Sequence, residues 1–497
     1  MTEKYFLAVD IGASSGRAAL GRVTEDRLEL RELHRFPNLP VEVGGVLYWD
    51  VLGIFREVCE GIRLGWQESG GALAGVGIDT WGVDFGLLDD RGRLVGNPAH
   101  YRDRRNQGAM EAVCARLGAE RLFNATGLQL MPFNTLFQLY AMKEQGWTEL
   151  ERASTLLMMP DLLAYFLCGR KASEFTIAST TQFLDPRAKN WAWGLLEELG
   201  LPGRILPEIV PPGTVLGPLT RRIPGVPEGA LPVIAPAAHD TGSAVAAVPA
   251  GRERGWAVIS SGTWSIMGTE AKDPVITPTA RRHNFTNEGG VNGTRFMKNI
   301  MGMWLLQECR RMWALRDGRE TGYDELQAEA GKAVPLARFI DPDHPSFMLP
   351  DDMTTAIKTF CEHTGQTAPR TRGEFARCVL ESLALKYAVT VRQLEECSGE
   401  RIEVVHVVGG GSQDRLLNQL AADAMGVPVI AGPVEATAIG NLLAQAMAAG
   451  AVESLAAGRA LVAASFQTER HEPRPGAGWE EARRRFDEII ERGKTLS

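Results

Sequence analysis

A short apolar strand followed by a turn of small residues occurs twice in this chain of 497 residues. Residues 5–10 form an apolar run that ends in Asp10 and leads into the turn GASSG at 12–16. The run at 256–259 leads in the same way into SSGT at 260–263, about 250 residues later. A repeat at half the chain length indicates a duplicated architecture, and glycine clusters beside short apolar runs are typical of α/β proteins.

The segments around the first turn predict the start of one particular fold. Residues 17–23 and 27–36 alternate well enough to predict two strands, and 73–79 predicts a further one. Apolar residues at helical spacing predict a helix over 50–68. The order of three strands, a helix and a strand begins a ribonuclease-H-like domain rather than a β-α-β nucleotide fold. We therefore expect two such α/β domains. Their expected ranges are 1–245 and 246–497.

The second half contains the longest predicted helix, over residues 371–398. Thr371 and Glu374 have the spacing of a capping box, and Gly399 stands where a C-cap glycine belongs. Residues 404–449 then predict a strand followed by a helix, twice in succession. A further helix over 478–493 is expected to pack back onto the first domain.

Proline and glycine are concentrated over residues 203–232. This composition allows a flexible linker, but the interspersed isoleucine, leucine and valine favour a packed, irregular covering segment. We expect the packed form.

Charge and composition exclude several classes of protein. The formal net charge is −8 and no large basic cluster is present, so a nucleic-acid partner is not expected. No apolar stretch reaches the roughly 18 residues of a membrane span, and the N-terminal apolar run is too short for a signal peptide. We expect a cytoplasmic protein without a membrane partner. Its seven cysteines form no C-x-x-C motif and are expected to be reduced, although Cys361 and Cys378 could meet across a loop.

Three turns of small residues are candidates for nucleotide binding. In the first, DIGASSGR at 10–17, small residues let backbone N–H groups face an anion and Arg17 adds positive charge. The turn SSGT at 260–263 offers a second such surface, and Gly409–Gly411 follow a predicted strand. Ordinary hairpin turns and simple strand-to-helix packing remain the alternatives. No Walker lysine is present, which excludes P-loop chemistry.

Polar residues after other apolar runs are candidates for catalysis and sugar binding. Asp240 follows a predicted strand and could act as a general base, or Asp240 or Thr241 could cap the next helix. Trp81 lies between Asp79 and Asp84 and could face a sugar, although a tryptophan is more often a core residue. The charged segment 101–105 is ambiguous in the same way, because such runs are usually salt-bridged at the surface.

Together these segments resemble the FGGY carbohydrate kinases, members of the superfamily of sugar kinases, heat-shock chaperones and actin. The resemblance covers nearly the whole chain in family order. It rests on DIGASSGR at 10–17, GIDTWGVDFGLLD at 77–89, AHDTGSAVAAVP at 238–249, SSGTWSIMG at 260–268, NEGGVNGTRFMKNIMGMWLLQE at 287–308 and VVGGGSQDRLLNQLAADAMGVPVIAGPVEATAIGN at 407–441.

The resemblance implies two ribonuclease-H-like domains of the actin and hexokinase ATPase type around a central cleft, with ATP and Mg²⁺ as cofactors. Asp240 takes the position of the catalytic base, and Asp10 that of a carboxylate holding Mg²⁺ through water. The ATP-binding positions are Ala13, Ser14, Ser15, Gly16, Arg17, Thr263, Gln307 and Gly410. The sugar-binding positions are Gly82, His239, Asp240, Thr241 and Asn299.

The implied reaction is transfer of the γ-phosphate of ATP to the C1 hydroxyl of a ketose, with L-rhamnulose the expected sugar and a monomer the expected state. Tyr101 stands where the wider family has tryptophan, while Asp103 and Arg105 are retained. Kinases of fuculose, xylulose or glycerol are the alternatives, followed by an actin-like or chaperone-like ATPase. A NAD-linked oxidoreductase is disfavoured, because no G-x-G-x-x-G opens a helix after a strand.

Overall fold

The structure is a computed structural model that describes residues 3–251, 255–474, 476 and 478–496. The chain forms two compact units. The first unit comprises Met1–Gly251, Glu270–Met297 and Glu435–Phe466, and the second comprises Arg252–Thr269, Lys298–Val434 and Gln467–Ser497. Two stretches from the second half of the sequence therefore belong to the first unit, which a single boundary at residue 245 does not describe.

Short strands occur along the whole chain. They are β1 (Lys4–Ile11), β2 (Ser15–Val23), β3 (Leu28–Pro37), β4 (Pro40–Val43), β5 (Val46–Trp49), β6 (Leu73–Thr80), β7 (Phe85–Leu88), β8 (Thr155–Met158), β9 (Ser173–Glu174), β10 (Leu184–Asp185), β11 (Asn190–Trp191), β12 (Ile209–Val210), β13 (Thr214–Pro218), β14 (Pro232–Ala235), β15 (Trp256–Ser261), β16 (Trp264–Ala271), β17 (Thr286–Gly289), β18 (Thr294–Met301), β19 (Val404–Val408), β20 (Val429–Ala431) and β21 (Glu469–His471).

The chain also contains helices, several of which follow one another without an intervening strand. They are α1 (Val51–Glu68), α2 (Ala109–Leu117), α3 (Ala119–Thr126), α4 (Thr135–Glu144), α5 (Thr148–Arg152), α6 (Met159–Cys168), α7 (Phe175–Ala178), α8 (Trp193–Leu199), α9 (Asp240–Ala246), α10 (Pro278–Arg282), α11 (Trp304–Asp317), α12 (Tyr323–Lys332), α13 (Met353–His363), α14 (Arg372–Ser398), α15 (Arg415–Met425), α16 (Ala436–Ala448), α17 (Leu455–Ser465) and α18 (Trp479–Gly493).

The main sheet of the first unit has the strand order β13-β14-β6-β1-β2-β3. Strands β1, β2 and β3 pair antiparallel, while β6 runs parallel to β1 and β14 runs parallel to β6. The three predicted strands, the helix and the further strand are present, but two strands that were not predicted, β4 and β5, lie between β3 and α1 in the chain. Helix α1 buries Ile54, Val58 and Ile62 in the same core as Leu7 and Val9 of β1. Burial of this apolar stripe stabilises the helix on the sheet.

The sheet of the second unit begins with the same arrangement. Strands β15 and β16 pair antiparallel, β19 runs parallel to β15, and the seven strands have the order β17-β18-β16-β15-β19-β20-β21. The predicted capping box of α14 is confirmed, because the Thr371 side chain accepts from the Glu374 N–H and Glu374 bonds back to the N-cap backbone. Gly399 ends the helix with a φ of 71°. This left-handed conformation favours glycine.

Helix α16 belongs to the first unit, where it packs against α9 and β1. The approach to α9 is very close, since a Cβ on Gly440 would lie 1.8 Å from the Ser243 carbonyl oxygen. A glycine at this point of α16 therefore lets the two helices meet backbone to backbone.

Two further expectations have different outcomes. The segment 203–232 buries Leu219, Ile223, Val226 and Leu231 in the core of the first unit, so the packed form is confirmed and the flexible linker is wrong.

Helix α18 packs against α13 and α14 of its own unit. The expectation that it packs onto the first domain is wrong, because its buried side chains, including Phe486, lie among residues of the second unit.

All seven cysteines lie in the described residues and are free thiols. Cys361 and Cys378 are buried neighbours on α13 and α14, and their mutual hydrogen bond, with burial, raises the pKa of the Cys378 thiol. In the described part of the chain, no helix is both long and apolar enough to cross a membrane.

Candidate functional site

Two carboxylates meet at the carboxyl ends of neighbouring strands in the first unit. Asp10 of β1 pairs in register with Asp79 of β6. The Asn441 amide donates to Oδ2 of Asp79 at 2.6 Å, whereas Oδ1 of Asp79 is buried and has no hydrogen-bond partner among the described residues. Burial and the nearby charge of Asp10 raise the pKa of Asp79. An unpartnered carboxylate oxygen beside a second carboxylate suits a cation.

Arg17 lies across the turn from Asp10 and is held within the first unit. Its Nε and one terminal nitrogen donate to Asp10 Oδ2 at 2.9 and 2.6 Å, and a second terminal nitrogen contacts Glu435. The predicted positive charge is therefore shared between two carboxylates in this structure.

The turn that precedes Arg17 is closed by backbone hydrogen bonds. The Gly12 N–H donates to the Ser15 carbonyl at 2.9 Å, and the Asn38 N–H donates to the Ser14 carbonyl at 3.1 Å. Ala13 is partly exposed and Ser14 is exposed. Gly16 is buried against Phe36, whose ring would lie 2.3 Å from an added Cβ. The turn is thus rigidly placed, with its tip accessible.

The predicted residues His239, Asp240 and Thr241 lie at the start of α9. The Thr80 N–H donates to the Ala238 carbonyl at 3.0 Å, which places this segment beside the end of β6. The N-cap residue is His239, and its side chain makes no capping hydrogen bond within the described residues. The interpretation of Asp240 or Thr241 as the N-cap is therefore wrong.

The Asp240 carboxylate remains accessible, with 30% of its side chain exposed. Its Oδ1 accepts from the N–H and the hydroxyl of Thr241 at 2.5 and 3.0 Å. Burial raises the pKa of Asp240, the neighbouring His239 opposes this, and the charge of Asp10 adds to it. A carboxylate with a raised pKa is a better proton acceptor than an ordinary one.

Gly82 completes this corner of the first unit. A Cβ at position 82 would lie 3.3 Å from Nε2 of His239 and 3.1 Å from the methyl group of Thr180. Only a residue without a side chain leaves this space open. The structure therefore brings Gly82, His239, Asp240 and Thr241 together with the carboxylates of the strand ends.

Val83, next to Gly82, has a φ of 68°, a conformation that is uncommon for a β-branched residue. Its N–H donates to the Thr180 hydroxyl at 3.1 Å, and its carbonyl accepts from the Thr135 hydroxyl at 2.7 Å. Backbone strain of this kind persists only where surrounding contacts enforce it, and it is common at functional sites.

Glu174 and Thr176 support the segment before α9, and sequence reasoning missed both. Glu174 Oε2 accepts from the Ala238 N–H at 3.0 Å, and the Thr176 hydroxyl accepts from the His239 N–H at 3.1 Å. Burial raises the pKa of Glu174 to about 7. These residues lie more than 60 positions before His239, and no local pattern in the sequence signals their role.

Glu288 and Arg295 surround the imidazole of His239. Glu288 Oε2 and one terminal nitrogen of Arg295 lie 3.1 and 3.0 Å from His239 Nδ1. Burial alone would raise the pKa of Glu288, but the charge of Arg295 acts against burial, and the pKa is lowered to about 2. Both residues fall in the family segment 287–308, yet spacing alone did not identify them.

Trp81 and Asp84 form part of the core. Asp84 Oδ2 accepts from the indole nitrogens of Trp49 and Trp81 at 2.6 and 2.9 Å, and Oδ1 accepts from Gln138 at 3.1 Å. Burial raises the pKa of Asp84 to about 6. Its oxygens are thus engaged inside the protein, which supports the core interpretation of Trp81.

The charged segment that begins at Tyr101 is buried only in part, since Arg104 is exposed. The side chains of Asp103 and Arg105 are each 4% exposed, and Arg105 donates to Gln138 at 2.7 Å. For these two residues, the interpretation as a salt-bridged surface run is wrong.

In the second unit, the predicted nucleotide positions gather around the end of β15. The Thr263 hydroxyl donates to Gln307 Oε1 at 3.3 Å. A Cβ on Gly411 would lie 2.0 Å from the Ser261 hydroxyl, whereas one on Gly410 would meet no described atom within 4 Å. The two predicted turns therefore meet, with Gly410 exposed beside them.

Asn299 lies on β18 and is partly exposed. It belongs to the second unit.

The carboxylates present suit a magnesium ion that keeps some of its water better than they suit a metal ion enclosed by protein side chains alone. No group of three or more His, Cys, Asp or Glu side chains in the described ranges could hold a metal ion. Mg²⁺ characteristically keeps several waters and uses one or two carboxylates together with substrate phosphates. Asp10 and the unpartnered oxygen of Asp79 supply such a pair.

Comparisons with known proteins agree with this geometry. The models of the N- and C-terminal domains of the FGGY family of carbohydrate kinases match residues 5–247 and 257–449. The chain is 45% identical over 490 residues to a rhamnulokinase of Bacteroides thetaiotaomicron, covering 98% of this chain and 100% of the relative. It is 42% identical to a rhamnulokinase of Halalkalibacterium halodurans, covering 94% and 98%.

Solved structures show the fold. A xylulose kinase from Lactobacillus acidophilus matches with a TM-score of 0.80 at 17% identity, covering 99% of this chain and 98% of that one. The glycerol kinase of Plasmodium falciparum with ADP matches with a TM-score of 0.77 at 15% identity, covering 99% and 98%. The expected α/β fold class is confirmed. The chain belongs to the FGGY family of carbohydrate kinases and is an ATP-dependent sugar kinase.

Proposed function

We propose that this enzyme transfers the γ-phosphate of ATP to the C1 hydroxyl of L-rhamnulose. The observation that carries the proposal is the accessible Asp240 carboxylate beside His239 and Gly82 in the first unit. The choice of sugar is supported by relatives named rhamnulokinase, which are 39–45% identical over nearly their whole length.

Asp240 serves as the general base. The carboxylate accepts the proton of the C1 hydroxyl as that oxygen attacks the γ-phosphorus, and general-base help of this kind is worth roughly 10²–10⁴-fold in rate. Two features suit Asp240 to this role: its side chain is not used as the N-cap of α9, and its pKa is raised.

Asp10 and Asp79 would hold a magnesium ion, Asp10 through water. Bound there, Mg²⁺ would neutralise charge on the transferring phosphate. The carboxylate pair lies at the ends of β1 and β6, so the rigid sheet sets its position. Arg17 donates two hydrogen bonds to Asp10 and so orients that carboxylate.

The residues proposed for ATP binding form two sets, one within each unit. In the first unit, the residues are Ala13, Ser14, Ser15, Gly16 and Arg17, whose turn offers backbone N–H groups to phosphate oxygens. In the second unit, the residues are Thr263, Gln307 and Gly410. Gly410 allows close approach of the nucleotide because a Cβ there faces open space.

The sugar is bound by Gly82, His239, Asp240 and Thr241 of the first unit, while the family position Asn299 lies in the second unit. His239 and Asp240 offer a ring nitrogen and a carboxylate to adjacent hydroxyl groups, while Gly82 leaves room for the sugar next to His239. Fixed polar groups in such a corner give orientation and specificity.

A coupled assay of ADP release against a panel of sugars tests the proposal. L-rhamnulose should give the highest kcat/KM, with L-fuculose, xylulose and glycerol at least roughly tenfold lower, because pocket contacts of one methyl group or one hydroxyl are worth about that much. Strong turnover of xylulose or glycerol without stimulation by L-rhamnulose would reject the sugar and keep the kinase.

The same assay without sugar addresses the actin-like or chaperone-like ATPase. That class hydrolyses ATP without a sugar acceptor, whereas a sugar kinase excludes water and hydrolyses ATP only slowly in its absence. Hydrolysis that is independent of all tested sugars would favour the ATPase.

A further inference from the structure

The imidazole of His239 is enclosed by two buried charged side chains. The side chains of His239, Glu288 and Arg295 are 8%, 6% and 0% exposed. A terminal nitrogen of Arg295 lies 3.0 Å from Glu288 Oε2 and 3.0 Å from His239 Nδ1. The same Glu288 oxygen lies 3.1 Å from Nδ1. One ring nitrogen thus faces both a donor and an acceptor.

Hydrogen-bond geometry distinguishes the two contacts. Arg295 forms a hydrogen bond with Nδ1 of His239. Oε2 of Glu288 forms no hydrogen bond with any described residue. A guanidinium group has five N–H donors and no acceptor. Arg295 can therefore bond to Nδ1 only when that nitrogen carries a lone pair, and a neutral ring then carries its proton on Nε2.

Arg295 is itself held firmly in place. Its Nε donates to the carbonyl of Gly289 at 2.7 Å, and Glu288 balances its charge inside the protein. Glu288 is in turn bonded by the Thr286 hydroxyl at 3.3 Å. The donor that faces His239 is thus fixed by neighbouring residues on β17 and β18.

The other ring nitrogen points to the proposed site of chemistry. Nε2 of His239 lies 3.5 Å from Oδ1 of Asp240, and a Cβ on Gly82 would lie 3.3 Å from it. A proton on Nε2 is therefore available to a sugar oxygen close to the hydroxyl that Asp240 deprotonates.

We propose that Arg295 is a positioning residue that sets the tautomer of His239, so that Nε2–H donates to the sugar oxygen next to the reacting hydroxyl. In a ketose that reacts at C1, this neighbouring oxygen is on C2. The inference rests on the proposed function for the identity of the sugar, but the tautomer itself is a property of the protein alone.

The tautomer can be measured directly in the full-length enzyme. Long-range proton–nitrogen correlation spectra of protein labelled with ¹⁵N-histidine report which ring nitrogen carries the proton, and the His239→Gln variant identifies the signals of residue 239. We expect the proton on Nε2 in the wild type. A proton on Nδ1, or on both ring nitrogens near neutral pH, would overturn the proposal.

Variants of Arg295 and Glu288 separate the two partners. Arg295→Met leaves Glu288 as the only partner of Nδ1, so we expect the proton to move to Nδ1. Arg295→Lys keeps a donor, and Glu288→Gln leaves the Arg295 donor in place while removing the carboxylate; both should keep the proton on Nε2. A proton on Nδ1 in either of these last two variants would contradict the assignment, even if Arg295→Met does not fold.

Kinetics then tests the use of the donor. The amide of His239→Gln can reach the position of Nε2, whereas that of His239→Asn reaches only the position of Nδ1. We expect the KM for L-rhamnulose to be roughly tenfold or more higher in His239→Asn than in His239→Gln, with the KM for ATP equal in the two. Equal KM values for the sugar would remove the proposed donor role. A failed sugar panel with the expected tautomer would reject the sugar and leave the tautomer assignment intact.

Discussion

The two units begin with the same strand arrangement, but different kinds of residue stand at the carboxyl ends of their strands. In the first unit, β1 and β6 run parallel and end at Asp10 and Asp79. In the second unit, β15 and β19 run parallel and end at Ser261 and Val408, which leads into the glycine turn. Carboxylates occupy one set of strand ends, and a hydroxyl group and glycines occupy the other.

This difference suggests that the two units, although their sheets are similar, contribute different steps of the kinase reaction. Ligands of open α/β sheets bind beyond the carboxyl ends of the strands, so the residues found there decide what each unit can bind. Carboxylates suit a cation and a reacting proton. Small residues let a nucleotide approach the backbone. The comparison therefore predicts catalytic losses for changes in the first unit and losses of ATP affinity for changes at the glycine turn.

The largest effect is expected for Asp240→Asn. An amide cannot accept the proton of the sugar hydroxyl, so kcat should fall roughly 10²–10⁴-fold, measured by coupled ADP release. The KM for ATP and the thermal midpoint should stay unchanged, because Asp240 is not the N-cap of α9. Asp90→Asn, at an exposed position, is the matched control. Near-wild-type turnover of Asp240→Asn would reject Asp240 as the base.

The pH dependence of stability should reveal buried Glu174. Its pKa is about 7 in the folded protein and about 4.3 in an unfolded chain. Between these values the folded state keeps a proton that the unfolded state has lost. The contribution of Glu174 to the unfolding free energy therefore falls as pH rises through this window and is constant above it.

Glu174→Gln removes this titration. The unfolding free energy of the variant relative to the wild type should rise by about 3 kcal/mol from pH 5 to pH 8, measured by urea denaturation. Glu197→Gln, at an exposed position, should show no such trend. A flat difference for Glu174→Gln would mean that burial does not raise the pKa as described.

A smaller effect should separate two neighbouring glycines of the second unit. The Gly411→Ala change places a Cβ 2.0 Å from the Ser261 hydroxyl and should cost about 1–3 kcal/mol of unfolding free energy. The Gly410→Ala change meets no described atom within 4 Å, so it should leave the thermal midpoint unchanged and raise the KM for ATP. Loss of stability in Gly410→Ala without a change in KM would contradict the proposed nucleotide contact.

The smallest effects concern one helix cap in each unit. Thr371→Ala removes the capping box of α14, and Ser454→Ala removes the bond from the Ala457 N–H at the start of α17. Each should lower the unfolding free energy by about 1 kcal/mol. Hydrogen exchange should locate the first loss in the second unit and the second loss in the first. Changes of more than roughly 3 kcal/mol would mean that these residues do more than cap a helix.

Much of the local structure follows from short patterns in the chain. The strands and helix around the first turn, and the capped ends of α14, were predictable because alternation, helical spacing and capping residues act over a few positions. Family motifs likewise led to His239 and Asp240. The supporting residues Glu174 and Arg295 were not predictable, since their contacts with the His239 segment join positions 56–64 apart.

The sequence by itself thus determined the elements around the first turn, the ends of α14, the repeated strand-and-turn arrangement and the family. Only the tertiary structure decided that Arg17 is bound between Asp10 and Glu435, and that α16 packs on α9 through Gly440. Local propensities act between near neighbours along the chain. A buried charge or a close helix contact instead depends on which distant segments meet, and packing of the folded chain alone decides that.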